Sequence, residues 1–324
     1  MVMGAGLIGV RHIREIRAHE ECDLAGVVEI DPARRIDGEV CYFSDLKDVD
    51  VGVDGVIIAT PNDCHHIHGV EAANRGWHVL VEKPVAQDCD EADAIEKALK
   101  AKNLTGLVGH HRRYHDSIEK LKTVIDGGLI GRVLATSVIW AVKKNDGYFE
   151  GNWRVDKGSP VMINLIHDLD LLQYVLGEIE DAQGFSNEIV RCAGRVETGS
   201  VALKFASGIS GAISFSDAAP SPWSFEAGTG ENPNIAETGQ DMWWIMGSKG
   251  SVSYPSLSLW SGSSDWSQAP EVSRIDYEKV NPLRAQLDHF LAVIRGEETP
   301  KITVGDAART LSLALKIDRQ LATG

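Results

Sequence analysis

Positive charge is in short supply. The 324-residue chain carries 32 Lys and Arg against 47 Asp and Glu, a formal net charge of −15 with His neutral. A nucleic-acid binder needs a basic face to neutralise phosphates, so no nucleic-acid partner is expected, although one local anion site remains compatible with this charge. Long apolar runs are missing as well: nothing reaches the roughly 18 uninterrupted apolar residues of a membrane span, and no membrane partner is expected. The start shows no charged and then apolar leader with a small-residue cleavage site. Cysteine is sparse and odd in number (Cys22, Cys41, Cys64, Cys89 and Cys192). That is neither a disulfide framework nor a Cys-x-x-Cys zinc pattern, and a reducing cytoplasm is the expected location. Repeats and low-complexity segments are also lacking. What is present is ordinary for a soluble globular protein, with 43% hydrophobic and 24% charged residues. The length suggests about two domains.

The first hundred or so residues alternate short apolar runs with helical patterns. The apolar runs are 1–3, 24–28, 55–60, 78–82 and 105–108; the helical patterns are 7–18, 65–75 and 91–102. This alternation predicts a doubly wound parallel sheet. The opening run is short for a parallel strand, so either the first strand is short or the true start lies upstream. After about residue 132, apolar and β-branched stretches follow one another at 132–142, 198–205, 210–215, 242–246, 251–254 and 257–260. They predict a mostly antiparallel sheet. Helical patterns interrupt it at 161–176 and close the chain at 282–295 and 303–321, with Thr303 and Asp306 placed for an N-cap. The domain break is expected near residue 115.

Gly4-Ala5-Gly6-Leu7-Ile8-Gly9 fits G-x-G-x-x-G between a strand and an amphipathic helix. Gly4 allows the tight turn, Gly6 lets backbone approach a pyrophosphate, and Gly9 lets helix and strand pack closely. Glu29 lies twenty residues after Gly9, at the end of the second strand, where it would accept hydrogen bonds from a ribose. Its carboxylate would repel a 2′-phosphate, and Asp31 strengthens that field, which favours NAD. Arg34 and Arg35 leave NADP open.

Thr60, Pro61 and Asn62 follow the strand at 55–58, with His65 three residues on. Such loops at carboxyl strand ends bind ligands in open α/β sheets. The same residues also make a turn and a helix cap. His65, His66 and His68 fit no common zinc spacing, so no metal is expected. Glu82-Lys83-Pro84 ends the next strand, where a lysine would supply positive charge beside a developing alkoxide.

Together these three segments resemble the glucose–fructose oxidoreductase / inositol dehydrogenase (Gfo/Idh/MocA) family. The likeness continues through Gly109–Tyr114, Trp153-Arg154 and Gly158–Asp168, and covers essentially the whole chain. It implies a Rossmann domain over 1–115. Residues 116–324 would form a substrate-binding and oligomerisation domain on a large, open, mostly antiparallel sheet. The implied reaction is oxidation of a secondary hydroxyl on a sugar, sugar derivative or cyclitol by NAD(P). Lys83 would hold the reacting oxygen, next to a cis Lys83–Pro84 bond in some relatives. Trp153 and Arg154 would lie near the nicotinamide. Gly4, Gly6, Leu7, Ile8, Gly9, Glu29, Thr60, Pro61, Asn62, His65, Glu82 and Lys83 complete the expected cofactor set. Tyr114, Asn164 and Trp223 join Lys83 and His167 as expected substrate residues.

His167 matches the family's catalytic histidine. An imidazole also titrates in the right range to take a hydroxyl proton. Many relatives carry Asp four residues earlier, where this chain has Ile163; Asn164 is the nearest polar residue before His167, and Asp168 or Asp170 would have to supply any carboxylate relay. Trp223 sits in a Gly- and Pro-rich loop with Glu226 and Glu231, a binding loop or a surface loop. Trp243 and Trp244 fit core and interface.

A dehydrogenase is therefore the leading expectation. A second is an enzyme that oxidises transiently, eliminates and reduces again, with no net redox. A third is a cofactor-binding sensor, against which Lys83 and His167 together argue. An uncovered apolar sheet face predicts a homodimer or homotetramer.

Overall fold

Alternation in the first hundred residues becomes a parallel sheet in the computed structural model, which describes residues 1–36, 38, 40–149, 159–192 and 194–322. Two compact units emerge: Met1–His115 with Val280–Ser312, and Asp116–Lys279 with Leu313–Gly324.

The first unit holds β1 (Val2–Met3), β2 (Val27–Val28), β3 (Tyr42–Phe43), β4 (Gly55–Ile58), β5 (His78–Val81) and β6 (Gly106–Val108). They run in the order β3-β2-β1-β4-β5-β6, every pairing parallel. Helices α1 (Leu7–Arg17), α2 (Asn62–Asn74) and α3 (Cys89–Ala101) connect them. The order reverses between β1 and β4, and a crevice at such a point is where open α/β sheets bind ligands. β1 is short, yet its pairing begins earlier, because the Met1 carbonyl accepts from Ile57 N–H at 2.9 Å.

A single break near residue 115 does not describe the chain, which returns to the first unit at Val280. The returning helix, Pro282–Ile294, is capped by Asn281, whose side chain accepts from the N–H groups of Leu283 and Arg284. Leu287, Phe290 and Val293 are spaced to share one face and enter a core with Val2, Ile13, Val27, Ile57, Leu80 and Leu107. Burying a side chain of that size contributes about 1.5–3 kcal/mol, which is what holds the segment there.

The second unit carries β7 (Val133–Ala141), β8 (Ile179–Asn187), β9 (Thr198–Phe205), β10 (Ser210–Ser216), β11 (Trp243–Gly247), β12 (Gly250–Tyr254), β13 (Ser258–Ser261) and β14 (Glu271–Arg274). Their order is β14-β13-β12-β11-β7-β10-β9-β8. Only β7 and β10 pair in parallel. Strict alternation in β9 puts Val201, Leu203 and Phe205 in the core and Ser200, Ala202 and Lys204 outward. β8 and β14 lie outside the apolar runs seen in the sequence, because both are rich in polar residues. Trp243 is fully buried and packs on Tyr254, with ring centroids 5.4 Å apart.

Thr303 and Asp306 form the reciprocal cap: Asp306 N–H donates to the Thr303 hydroxyl at 3.1 Å, and Thr303 N–H donates to the Asp306 carboxylate at 2.9 Å. Among the described residues no helix is long and apolar enough to cross a membrane.

Candidate functional site

Four loops at the carboxyl ends of β1, β2, β4 and β5 carry the expected cofactor residues of the first unit. Gly4 adopts φ +88°, and a Cβ there would meet the Ala59 carbonyl at 2.7 Å. A Cβ on Gly9 would lie 2.0 Å from the Gly4 carbonyl, so only glycine lets the helix start this close to the turn. At Gly6 a Cβ would meet nothing within 4 Å. Gly6 therefore borders open space, and no side chain caps the first turn of α1 that it precedes. An uncapped helix N-terminus beside open space fits a pyrophosphate. Leu7 (89% exposed) and Ile30 (80% exposed) add apolar surface near the turn, which an adenine or nicotinamide ring would cover.

These contacts separate two substitutions. Gly9→Ala is expected to lower the melting temperature, because the turn must open. Gly6→Ala is expected to leave melting unchanged and to weaken NADH binding about tenfold, because its Cβ occupies ligand space. Thermal melts and NADH fluorescence titration check both. Unchanged NADH affinity in Gly6→Ala would remove the pyrophosphate from this turn.

Glu29 is buried at the end of β2. Its Oε2 accepts from Ala5 N–H at 2.7 Å and its Oε1 from Asp31 N–H at 2.9 Å. The carboxylate is thus held against the glycine turn itself. Arg34 is drawn toward Asp31 at 3.5 Å, and Arg35 lies over the Tyr42 ring at 5.2 Å.

The loop after β4 turns inward. The Thr60 hydroxyl bonds His68 Nδ1 at 3.0 Å, and Pro61 is the N-cap residue of α2. His65 is buried, with Nδ1 2.8 Å from the Pro84 carbonyl and Nε2 2.9 Å from the Thr60 carbonyl. Oriented with its NH2 toward them, the Asn62 side chain donates to the carbonyls of Pro84 at 3.0 Å and Ala86 at 3.2 Å. Both residues read from sequence as cofactor ligands therefore spend polar groups on the loop after β5. Burial pushes the imidazoles of His65 and His68 down from their ordinary range. His66 faces Glu91 instead, at 3.9 Å, so the three neighbouring rings have different partners.

Glu82 is buried too. Its Oε1 bonds His12 Nε2 at 2.8 Å, and its Oε2 accepts from Lys83 N–H at 3.1 Å. Burial pushes its carboxyl up, but the His12 hydrogen bond and the charges of His12, His111 and Lys83 outweigh that and hold it down at about 2. His12 is a site residue that sequence reasoning missed; its one signal is helical spacing from Gly9 and Ile16, which puts it on the inward face of α1. The Lys83–Pro84 bond is cis.

Tyr114, expected at the substrate, is buried in the 3-10 turn His111–Tyr114. Its ring centroid lies 5.5 Å from that of His289, and Lys301 Nζ sits 4.8 Å over it. The neighbouring Arg113 donates to the Lys301 carbonyl at 2.9 Å, so this turn is tied to the returning segment.

In the second unit, a π-helical turn over Val161–Leu165 leads into the α-helix Ile166–Leu176, which ends at Gly177 with φ +97°. His167, Asp168 and Asp170 are all buried in it. Asn164 lies within the π-turn and His167 in the α-helix that follows it. Asn164 Oδ1 accepts from Lys144 Nζ at 2.8 Å. Lys144, just past β7, was not singled out in the sequence; it also lies 3.9 Å from Asp217, which Arg191 engages at 2.6 Å. Trp223 is 36% exposed, its carbonyl accepting from Ala141 N–H at 2.6 Å, and Ser224 then caps a short helix, Phe225–Thr229. Trp153 and Arg154 lie outside the described residues. Among the described residues no cluster of three His, Cys, Asp or Glu is placed to hold a metal ion.

Comparison with known proteins agrees with this architecture. Residues 1–110 match the model of an oxidoreductase family with an NAD-binding Rossmann fold, and residues 118–253 match the GFO/IDH/MocA C-terminal domain. The scyllo-inositol 2-dehydrogenase (NAD(+)) of Bacillus subtilis is 25% identical over 297 residues, 85% of this chain and 77% of that protein. The 2,7-anhydro-N-acetylneuraminate hydratase of Escherichia coli is 27% identical over 190 residues, 56% of this chain and half (50%) of that protein's length. The WlbA dehydrogenase of Bordetella pertussis, solved with NADH and UDP-GlcNAcA, superposes with a TM-score of 0.78 at 22% identity, covering 98% of this chain and 94% of that one. That likeness shows the fold.

Proposed function

The chain belongs to the Gfo/Idh/MocA family of NAD-binding oxidoreductases, and from that premise we propose that it oxidises a secondary hydroxyl of a sugar, sugar derivative or cyclitol with NAD. The observation that carries this reading is Lys83, set at the carboxyl end of β5 with its N–H on the buried Glu82 carboxylate, on the same sheet edge as the glycine turn. NAD, when bound, supplies the hydride acceptor. Gly4, Gly6, Leu7, Ile8 and Gly9 form the turn for its pyrophosphate, and Glu29 offers a carboxylate to the ribose. Arg34 and Arg35 both lie against residues of their own unit, which supports NAD over NADP. Lys83 holds the reacting oxygen and stabilises the charge that grows on it. His167 exchanges the hydroxyl proton through its imidazole.

The direct test follows NADH absorbance with NAD, and separately NADP, against inositols, aldoses, sugar acids and nucleotide sugars. NADH formation with one class, reduced about 10²–10⁴-fold in His167→Ala, is the expected result. Turnover that survives His167→Ala undiminished would remove His167 from the chemistry. The hydratase relative supports a second reading, transient oxidation followed by elimination and reduction. Its signature is conversion of substrate with no net NADH and with cofactor retained through purification.

A homo-oligomer is part of the proposal. Phe185 is 84% exposed on β8, in one row with the small residues Ser200 and Ser214, a flat strip suited to a second copy. A monomer in light scattering at micromolar concentration would overturn it. Five free cysteines suit a reducing compartment, and a cytoplasmic location belongs to the same reading.

A further inference from the structure

We infer that Asn62 and His65 are positioning residues that set the aim of Lys83 by gripping the Pro84 carbonyl. The inference rests on the role proposed for Lys83 and deepens it.

A lysine side chain has four rotatable carbons, so its ammonium is placed only as well as its backbone is. Here the backbone is held on both sides. Before the side chain, the Lys83 N–H donates to Glu82 Oε2 at 3.1 Å, and the other oxygen of that carboxylate is tied to His12 of α1. After it, the Pro84 carbonyl receives Asn62 at 3.0 Å and faces His65 Nδ1 at 2.8 Å, both from the first turn of α2. Proline has no N–H, so this residue joins the loop's hydrogen bonding through its carbonyl alone. One carbonyl with two lone pairs accepts both partners.

The two gripping side chains are themselves fixed. Asn62 reaches on to the Ala86 carbonyl at 3.2 Å, and the His65 ring lies between the Pro84 and Thr60 carbonyls; neutral, it has one N–H, which the grip requires on Nδ1. The Asn-x-x-His spacing places both on one face of α2. The loops after β4 and β5 are thereby joined through the buried His65 and the half-buried Asn62. The Asn62 NH2 and both His65 ring nitrogens face these carbonyls, so of their polar atoms the Asn62 Oδ1 remains for a cofactor.

The test reads Lys83 without needing a substrate. Trace acetylation by acetic anhydride across a pH series, scored by mass spectrometry of the Lys83 peptide, reports the pKa and reactivity of its amine. NADH fluorescence titration reports cofactor affinity. The intact chain is compared with Asn62→Ala, His65→Ala and the conservative His65→Gln, each checked by thermal melting. The expected result is a change of about threefold or more in Lys83 reactivity in both alanine variants, partial recovery in His65→Gln, and NADH affinity within about twofold. NADH affinity weakened about tenfold with Lys83 reactivity unchanged would make the pair cofactor ligands and overturn the inference. Unchanged values in both readouts would overturn it as well. If an alanine variant fails to melt cooperatively, Asn62→Ser and His65→Gln carry the comparison. Turnover that persists in Lys83→Ala would instead sink the catalytic role of Lys83, and the labelling result would stand apart from it.

Discussion

Lys83→Met is expected to lower kcat by about 10²–10³-fold while leaving NADH affinity nearly unchanged. Methionine keeps the unbranched stem as far as Cε and removes the charged nitrogen. The reaction turns a neutral hydroxyl into an oxygen that carries negative charge in the transition state. A cation fixed beside that oxygen stabilises the transition state more than the ground state, so its loss falls on kcat. The cofactor turn is built by other residues of β1, α1 and β2, and the Glu29 carboxylate reaches it through Ala5 N–H. Lys83 lies outside that turn, so although it is among the expected cofactor residues, its charge is expected to bear on turnover more than on cofactor affinity. Lys83→Arg should recover little, because a planar guanidinium cannot occupy the place of a compact ammonium. Stopped-flow NADH formation together with equilibrium NADH titration separates the two effects. An equal loss in both would make Lys83 a binding residue, and no loss in either would remove it from the site.

Much of this site is legible in the sequence because its constraints are local. Gly9 is demanded by the Gly4 carbonyl within one turn and Gly4 by its own φ of +88°, and a strand-to-helix alternation of short period shows where the turn lies. Lys83 is legible through its neighbours on the same short segment. The pairing of Glu82 with His12 is not, since the two are 70 residues apart and each alone looks like an ordinary surface group. Asn62 and His65 carry a readable spacing that points to this loop but does not show what their polar groups face. Their partners are backbone carbonyls, which have no sequence signature. The surroundings of Tyr114 are illegible for a similar reason: its packing on His289 and Lys301 depends on a segment that returns from nearly 200 residues away. The helix at 282–294 announces its apolar face clearly. Nothing in its pattern says which core receives that face, since Leu, Phe and Val fit many cores equally well.

Glu82→Gln is expected to lower unfolding free energy at neutral pH by an amount on the order of 3 kcal/mol and to flatten the acid limb of stability. The carboxyl is buried, and its pKa falls from 4.5 to about 2 in the folded chain. A shift of that size corresponds to about 3 kcal/mol of preference for the ionised form. The sign follows from proton binding. Below the unfolded value the unfolded chain takes up a proton that the folded chain still refuses, so stability falls as pH drops from about 4.5 toward 2. Above 4.5 the whole contribution is present. Glutamine keeps the shape but has no charge to answer His12, and it cannot change protonation across that window. Guanidinium unfolding at pH 3, 5 and 7 should show the native chain losing stability toward acid more steeply than the variant, by about one proton. Parallel curves would mean that His12 and Lys83 do not hold this carboxylate ionised. The room for the carboxylate is itself built in: a Cβ on Gly109 would lie 2.7 Å from Glu82 Cδ, so Gly109→Ala should disturb the same ion pair from the neighbouring strand end. Glu82 touches both α1, through His12, and the backbone of Lys83, so its charge serves stability and the aim of the lysine at once. The variant is therefore expected to lose turnover as well, even at pH values where it remains folded.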